Sequence, residues 1–445
     1  MPPRIPTRAV AGYAAGSVGT GGFGTLPGLV LAYYLTDTLG VSALLASLVV
    51  IVPKVWDVVI DPAVGALSDA EARRGSRTRL MTVGALTLPV GFAGMFAVPQ
   101  GSGQWLAAAW VTVAFLLATT SFSLFQVPYI ALPADLTDSY HERTRLMSWR
   151  IAVLALAILL VGAGGPGVRD AAGGGNTGYL VMGVVVAVLL VAGMLATVLG
   201  VRGRSQPAPE SHAASDRFGL AGYREGFTAF RTIAPYRLLL TVFVLQAVAT
   251  GVMLAAAQYV ARYTLGDEAA LTFLFAALVG PALLVMPVWA RYAGRHGKPR
   301  GLTVCSLTFA AAALCLLVLV WAPGPWVYLA VGVAGVAYAG MQMFPLAMLP
   351  DVIQSAGRER GGAMSGLWTA GETAGLALGP SIVLLLLALG GFRSSTAEQV
   401  LAQPDSALVM IVLAFSVVPA LLVGLSLVVL RRYRDPVPHP VLETA

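Results

Sequence analysis

Apolar stretches of about 20 residues recur from one end of this 445-residue chain to the other, and each has the length that crosses a bilayer core as helix. Inside lipid every backbone N–H and C=O must be satisfied within the protein, so such runs fold as spanning helices. Composition agrees, with 57% hydrophobic and 11% charged residues where soluble domains carry about 25% charged. The sequence is read as an all-α, multi-pass membrane protein. Helices are expected at roughly 10–36, 42–68, 79–98, 105–133, 146–166, 178–200, 236–262, 269–292, 301–321, 326–349, 362–390 and 406–430. The opening MPPRIPTRAV has no apolar core or cleavage site, so no removable signal peptide is expected.

A net charge of +7 raises the possibility of a nucleic-acid partner, but the charges are distributed for topology. With a cytoplasmic N-terminus, Arg4, Arg8, Arg73, Arg74, Arg77, Arg79, Arg143, Arg145 and Arg150 lie inside. The basic residues of 202–237, 291–300 and 358–360 join them, with Arg431, Arg432 and Arg434. Arg169, Arg262 and Arg393 fall outside. This asymmetry is the positive-inside rule, with both termini cytoplasmic. Arginine outnumbers lysine 26 to 2 among the 28 basic residues, which with abundant Ala, Gly and Val suggests a GC-rich bacterial genome and a plasma (inner) membrane location.

Enzymatic chemistry finds no foothold. Cys305 and Cys315 fall on one expected helix, about 15 Å apart along its axis, too far to bridge and unlike a metal site. His141, His212, His296 and His439 all fall in cytoplasmic segments. No zinc-protease, Walker or dinucleotide-binding pattern occurs in a suitable context.

The longest polar segment, 201–235, separates six expected helices from six. The expected organisation is a six-helix half over 1–200, a cytoplasmic linker over 201–235, a second half over 236–430 and a tail over 431–445. A short surface helix is expected near 223–231. An internal repeat supports the division. LPADLTDSYHERTRLMS at 132–148 aligns without a gap to LPDVIQSAGRERGGAMS at 349–365. Parallel six-span repeats are a transporter plan.

The charges within the spans are few. KVWDVVIDP at 54–62 places Lys54, Asp57 and Asp61 within about 60° of arc on a helix. Each charge at the bilayer centre costs at least ~2.5 kcal/mol, so this face meets the bundle interior or a wet cavity. One lysine does not neutralise two carboxylates. The remaining negative charge calls for a cation, a proton or another helix's arginine; Na⁺ suits hard oxygens, and one of two adjacent carboxyls readily holds a proton. A structural ion pair is the plainer alternative. Glu372, within SGLWTAGETAGLALGP, is the other intramembrane carboxylate. Gln126, Gln246, Gln258, Tyr338, Gln342 and Trp368 are candidates to line a pathway or to bond between helices.

These residues also resemble a known family. VWDVVIDPAVGALSDAEARRGSRTR, QVPYIALPADLTDSYHERTRLMSWR, AYYLTDTLGVS and MLPDVIQSAGRERGGAMSG are similar to the glycoside–pentoside–hexuronide:cation symporters, the melibiose-permease-like branch of the major facilitator superfamily. The resemblance implies a twelve-helix fold with two pseudo-symmetric halves, and symport by alternating access. It implies that Asp57 and Asp61 bind the coupling Na⁺ or H⁺, with Lys54 as the basic neighbour and Ser123 as a helping hydroxyl. Arg150 matches a family arginine near the substrate. Gly21, Gln126 and Thr373 stand where galactoside carriers have charged residues. A lysophospholipid-carrying branch shares the ValProTyr and MetLeuProAsp motifs.

The expected activity is cation-coupled transport of a small organic solute, foremost a sugar or glycoside, by a monomer in the bilayer. Its expected partners are that solute and the lipid, with no nucleic acid and no cofactor beyond the coupling ion. Asp69, Arg73, Arg74, Arg77 and Arg79, with Glu142, Arg143, Asp351 and Arg360 from the repeated segments, are expected to form a cytoplasmic gate. The alternatives are a proton-driven exporter of a lipophilic metabolite and a non-transporting sensor; for a sensor the linker and tail are small.

Overall fold

The computed structural model of the chain describes residues 5–73, 77–137, 140–202, 220–356, 361–396 and 401–434. Among these, ten helices are long and apolar enough to cross a membrane. Two more helices flank them in the first part of the chain, α1 (Thr7–Tyr33) and α3 (Thr78–Met95). The glycines of α1, beginning with Gly12, Gly16 and Gly19, dilute its hydropathy while serving its packing. A Cβ on Gly12 would come 2.8 Å from the Gly200 Cα, so here two backbones meet in the manner of small-residue membrane interfaces.

The chain divides into two units, residues 1–219 with 384–407, and 220–383 with 408–445. The first contains α1, α2 (Ala43–Arg73), α3, α4 (Gln104–Leu136), α5 (Tyr140–Ala171) and α6 (Gly175–Val201). There α1 packs on α5 and α6, α4 on α2 and α3, and α3 on α6. The second contains the short amphipathic α7 (Leu220–Thr232), where a surface helix is expected, then α8 (Ala234–Tyr259), α9 (Ala270–His296), α10 (Lys298–Cys315) and α11 (Trp326–Ala356). It is completed by most of α12 (Gly361–Leu389) and α13 (Asp405–Phe415), and by α14 (Val417–Leu430). Its packing repeats that of the first unit: α8 with α14, α11 with α9 and α10, and α10 with α14. The repeat seen between 132–148 and 349–365 therefore extends to the helix pairing inside each unit.

A second repeat was not read from the sequence. α1 and α8 each end in a five-residue π-turn, Tyr34–Thr38 and Val260–Thr264. In one, Leu39 N–H donates to Tyr34 O and Val41 N–H to Leu35 O; in the other, Leu265 donates to Val260 and Asp267 to Ala261. Each turn leads into Thr-Leu-Gly, and Gly40 and Gly266 take φ of +67° and +72°, a left-handed conformation that glycine adopts without steric cost. The Thr36 carbonyl, in the first π-turn, accepts the Ser395 N–H at 2.8 Å, and Ser394 Oγ donates to Val41 O at 2.8 Å.

The final expected span, 406–430, is broken into α13 and α14 at Ser416. Pro419 explains the break: it has no N–H to give residue 415, and its ring clashes with that carbonyl. Ser416 Oγ donates to Val412 O at 2.6 Å, a carbonyl that also accepts the Ser416 N–H at 2.9 Å.

Candidate functional site

On α2 the charged residues lie opposite the apolar ones. Leu44, Leu48, Val52, Val55 and Val59 form an exposed stripe, centred about 150° round the helix from Lys54, Asp57 and Asp61. The apolar stripe suits lipid, which turns the charged face inward. Lys54 Nζ lies 3.6 Å from Asp57 Oδ2 and 5.7 Å from the centre of the Phe115 ring. Asp57 Oδ1 is buried with no hydrogen-bond partner.

α4 supplies hydroxyls to this face. The Thr119 side chain lies within electrostatic reach of the Asp57 carboxylate, and Ser123 within that of Asp61; Thr119 Oγ1 itself donates to Leu116 O at 3.1 Å. Trp56 Nε1 donates to Thr120 Oγ1 at 2.8 Å and ties the two helices in register. Two carboxylates and two hydroxyls make a set of hard oxygens beside one ammonium, a set that suits Na⁺ or H⁺. Thr119 escaped the sequence reading. Its signal was available: Thr119, Ser123 and Gln126 recur at i, i+4 and i+7, one face of one helix.

Gln126 accepts a hydrogen bond from Thr20 Oγ1 of α1 at 2.8 Å. A Cβ on Gly21 would instead meet the Leu154 carbonyl at 3.1 Å and the Ala157 Cβ at 3.2 Å. Gly21 thus seats α1 on α5.

Arg150 lies over the Tyr129 ring at 5.3 Å, with Nη1 3.9 Å from Met147 Sδ. Its Nε is buried and unpartnered. Tyr129 is held from the other side, its hydroxyl donating to Tyr13 O at 2.8 Å and lying 3.0 Å from Ser17 Oγ. Tyr13 stacks on the same ring at 4.8 Å. Tyr13, Ser17 and Tyr129 were absent from the sequence-based set because aromatic and hydroxyl residues in a span look like packing.

The second unit holds the remaining expected pathway residues, and they separate into two groups. Gln246 is only 3% exposed, and its Nε2 donates to Ser306 Oγ at 2.9 Å and Ser426 Oγ at 3.3 Å. It joins α8, α10 and α14. Gln258 is fully buried. Elsewhere, Gln342 Nε2 donates to the Tyr338 hydroxyl at 2.9 Å, and Tyr338 lies within electrostatic reach of Glu372. Trp368 stacks on Phe243 at 4.4 Å, while Thr373 is exposed.

Of the expected gate residues, Arg77 is buried and donates to Ser68 Oγ at 2.8 Å. Arg79 is 3.9 Å from Glu71 but largely exposed, a geometry that contributes little. Glu142 pairs with Arg145 at 3.3 Å and accepts the Ile5 N–H at 3.2 Å. Asp351 pairs with Lys298 at 2.6 Å, and the same ammonium reaches Ala347 O at 2.9 Å. Arg145 and Lys298 were not in the expected set. Arg74 and Arg360, and the side chains of Asp69, Arg73 and Arg143, lie outside the described residues.

The MFS/sugar transport protein family matches residues 12–434. An uncharacterized symporter of Synechocystis sp. is 31% identical over 202 residues, covering 42% of this chain and 36% of that one. The chain thus matches little more than a third of that relative's length. The mouse sodium-dependent lysophosphatidylcholine symporter 1 is 25% identical over 375 residues, covering 77% of this chain and 69% of its own. Among solved structures, a D-xylose–proton symporter superposes with a TM-score of 0.69 at 13% identity, over 97% of this chain and 98% of that one. At that identity the likeness concerns the fold.

Proposed function

Because the chain belongs to the MFS/sugar transport protein family, we propose that it moves a small organic solute across a bacterial plasma membrane in symport with Na⁺ or H⁺. The observation that carries this reading is the arrangement of α2 against α4. Two carboxylates, Asp57 and Asp61, share a face with one lysine, and hydroxyls from α4 approach each carboxylate. Lys54 balances one negative charge. The other charge, held away from lipid, is the place for the coupling cation.

Binding of that cation makes the site neutral, which permits the halves to exchange access from one side of the membrane to the other. One charge crossing ~100 mV provides about 2.3 kcal/mol, equivalent to a roughly 50-fold solute gradient. A sugar or glycoside is the favoured cargo on the family's description. The protein acts as a monomer, with the solute and the bilayer as its partners. Proteoliposomes with an imposed Na⁺ or H⁺ gradient should accumulate a sugar or glycoside against its gradient. Accumulation that ignores both gradients would remove symport.

A second reading, proton-driven export of a less polar metabolite, draws on one observation. The place of a first-span carboxylate is taken by the packing of Gly21 on α5, so the first span offers its cargo no charge at that position. Inside-out and right-side-out vesicles separate the two directions.

A further inference from the structure

Among the described residues of its own unit, the Glu372 carboxylate has no ionic partner. Every other described charged side chain in that unit's spanning helices lies within about two turns of a helix end. Glu372 lies 11 residues into α12, and no described basic side chain pairs with it. An ionised carboxylate at this depth costs several kcal/mol unless a positive charge meets it.

The surface of α12 shows where that charge would come from. Gly371 and Gly375 press against α8, where added Cβ atoms would come 2.9 Å from Val244 Cγ2 and 2.8 Å from Ala247 Cβ. About 120–160° round the helix, Thr369 and Thr373 form an exposed hydroxyl stripe. Thr369 Oγ1 donates to Ser365 O at 3.2 Å, and it is the carboxylate beside this row that is held toward protein or water in preference to lipid. Glu372 lies between the two faces, half-buried at the edge of that stripe.

Two further groups are left with unused hydrogen-bonding capacity. Trp368, one turn before Glu372 on the same sector, is 2% exposed, and its Nε1–H has no partner. Tyr338, which accepts from Gln342 and lies within reach of Glu372, retains its own O–H to donate. A carboxylate and tyrosine ring beside hydroxyl, indole and amide groups match a solute that combines an ammonium with hydroxyls.

We propose that Glu372, with Tyr338 and Trp368, recognises a protonated amine on a hydroxylated solute, so that the cargo is an amino sugar or a similar amino polyol. This rests on the reading of the chain as a solute symporter.

The test is binding of matched pairs, 2-amino-2-deoxyhexoses against their N-acetylated counterparts, to the purified full-length chain at neutral pH. The amine should bind at least tenfold more tightly, the preference should vanish in E372Q, and E372D should restore part of it. Equal binding of both members, binding of neither, or a preference unchanged in E372Q would overturn the proposal. A result in which E372Q binds solute normally and loses only a proton from the transport cycle would do so as well, by making Glu372 a proton site. Stabilisation by Na⁺ or H⁺ is measured on the same wild-type and E372Q samples. If both keep it while the amine preference is absent, the solute assignment has failed and the symport reading has not; if the wild type lacks it, the symport reading has failed too.

Discussion

Lys54 stands 3.6 Å from one oxygen of Asp57 and leaves the other oxygen of that carboxylate buried without a hydrogen bond. The pair is therefore incomplete. A buried carboxylate oxygen lacking a partner costs about 1–3 kcal/mol or more, and a bound cation or proton removes that cost. Replacing Lys54 should deepen the negative site. Lys54→Gln is expected to bind the coupling cation several-fold more tightly and to release it more slowly, giving a lower half-saturating cation concentration and slower turnover. Cation titration of solute uptake reads both quantities.

Ser123 lies within electrostatic reach of Asp61 from the neighbouring helix without carrying charge. Ser123→Ala should weaken cation binding without abolishing it. The loss of one hydrogen bond, about 0.5–1.5 kcal/mol, corresponds to roughly a 2- to 12-fold rise in the half-saturating cation concentration. An unchanged value would place Ser123 outside the site.

Gln246 is expected to behave as a strut. Its amide joins α8, α10 and α14, and interhelical hydrogen bonds in membranes are worth about 0.6 kcal/mol on average. Gln246→Leu should lower thermal stability slightly and leave the solute KM unchanged. A large KM change with normal stability would return Gln246 to the pathway.

The α1–α6 contact has no room to spare. Gly12→Leu would drive a side chain into the Gly200 backbone, and overpacking of this kind costs about 1–3 kcal/mol. Reduced yield and a lower unfolding temperature are expected, with Gly24→Leu as the control, since a Cβ there meets nothing within 4 Å.

Much of the fold was legible because hydropathy and length are local signals. The helices lie close to the expected stretches, and α2 shows its charged and apolar sides at opposite faces. What escaped depends on contacts between distant residues. Nothing in Gly21 itself says that α5 fills its side-chain position, and Gln246 looks the same in sequence whether it lines a path or joins three helices. Thr119 became a site residue only when α4 was laid against Asp57. The paired π-turns were within reach, since Thr-Leu-Gly occurs at both 38–40 and 264–266. Their backbone pattern was not, because a π-turn has no strong residue signature.

The pair Lys298–Asp351 closes at 2.6 Å beside the α9–α10 turn. If it latches one state of the cycle, Asp351→Asn and Lys298→Met should each alter the transport rate with little effect on solute affinity. The exchanged pair, Lys298→Asp with Asp351→Lys, should recover part of the loss. Rates unaffected by either single change would leave the pair with a purely structural role.

The most direct measurement is cation-dependent thermal stability of the purified protein, with Na⁺ titrated at fixed pH and pH titrated without Na⁺, for the wild type and for Asp57→Asn. The wild type should show a saturable stabilisation by one of the two cations, and Asp57→Asn, equally well expressed, should lose it. A full response in Asp57→Asn would contradict the placement of the coupling cation between α2 and α4.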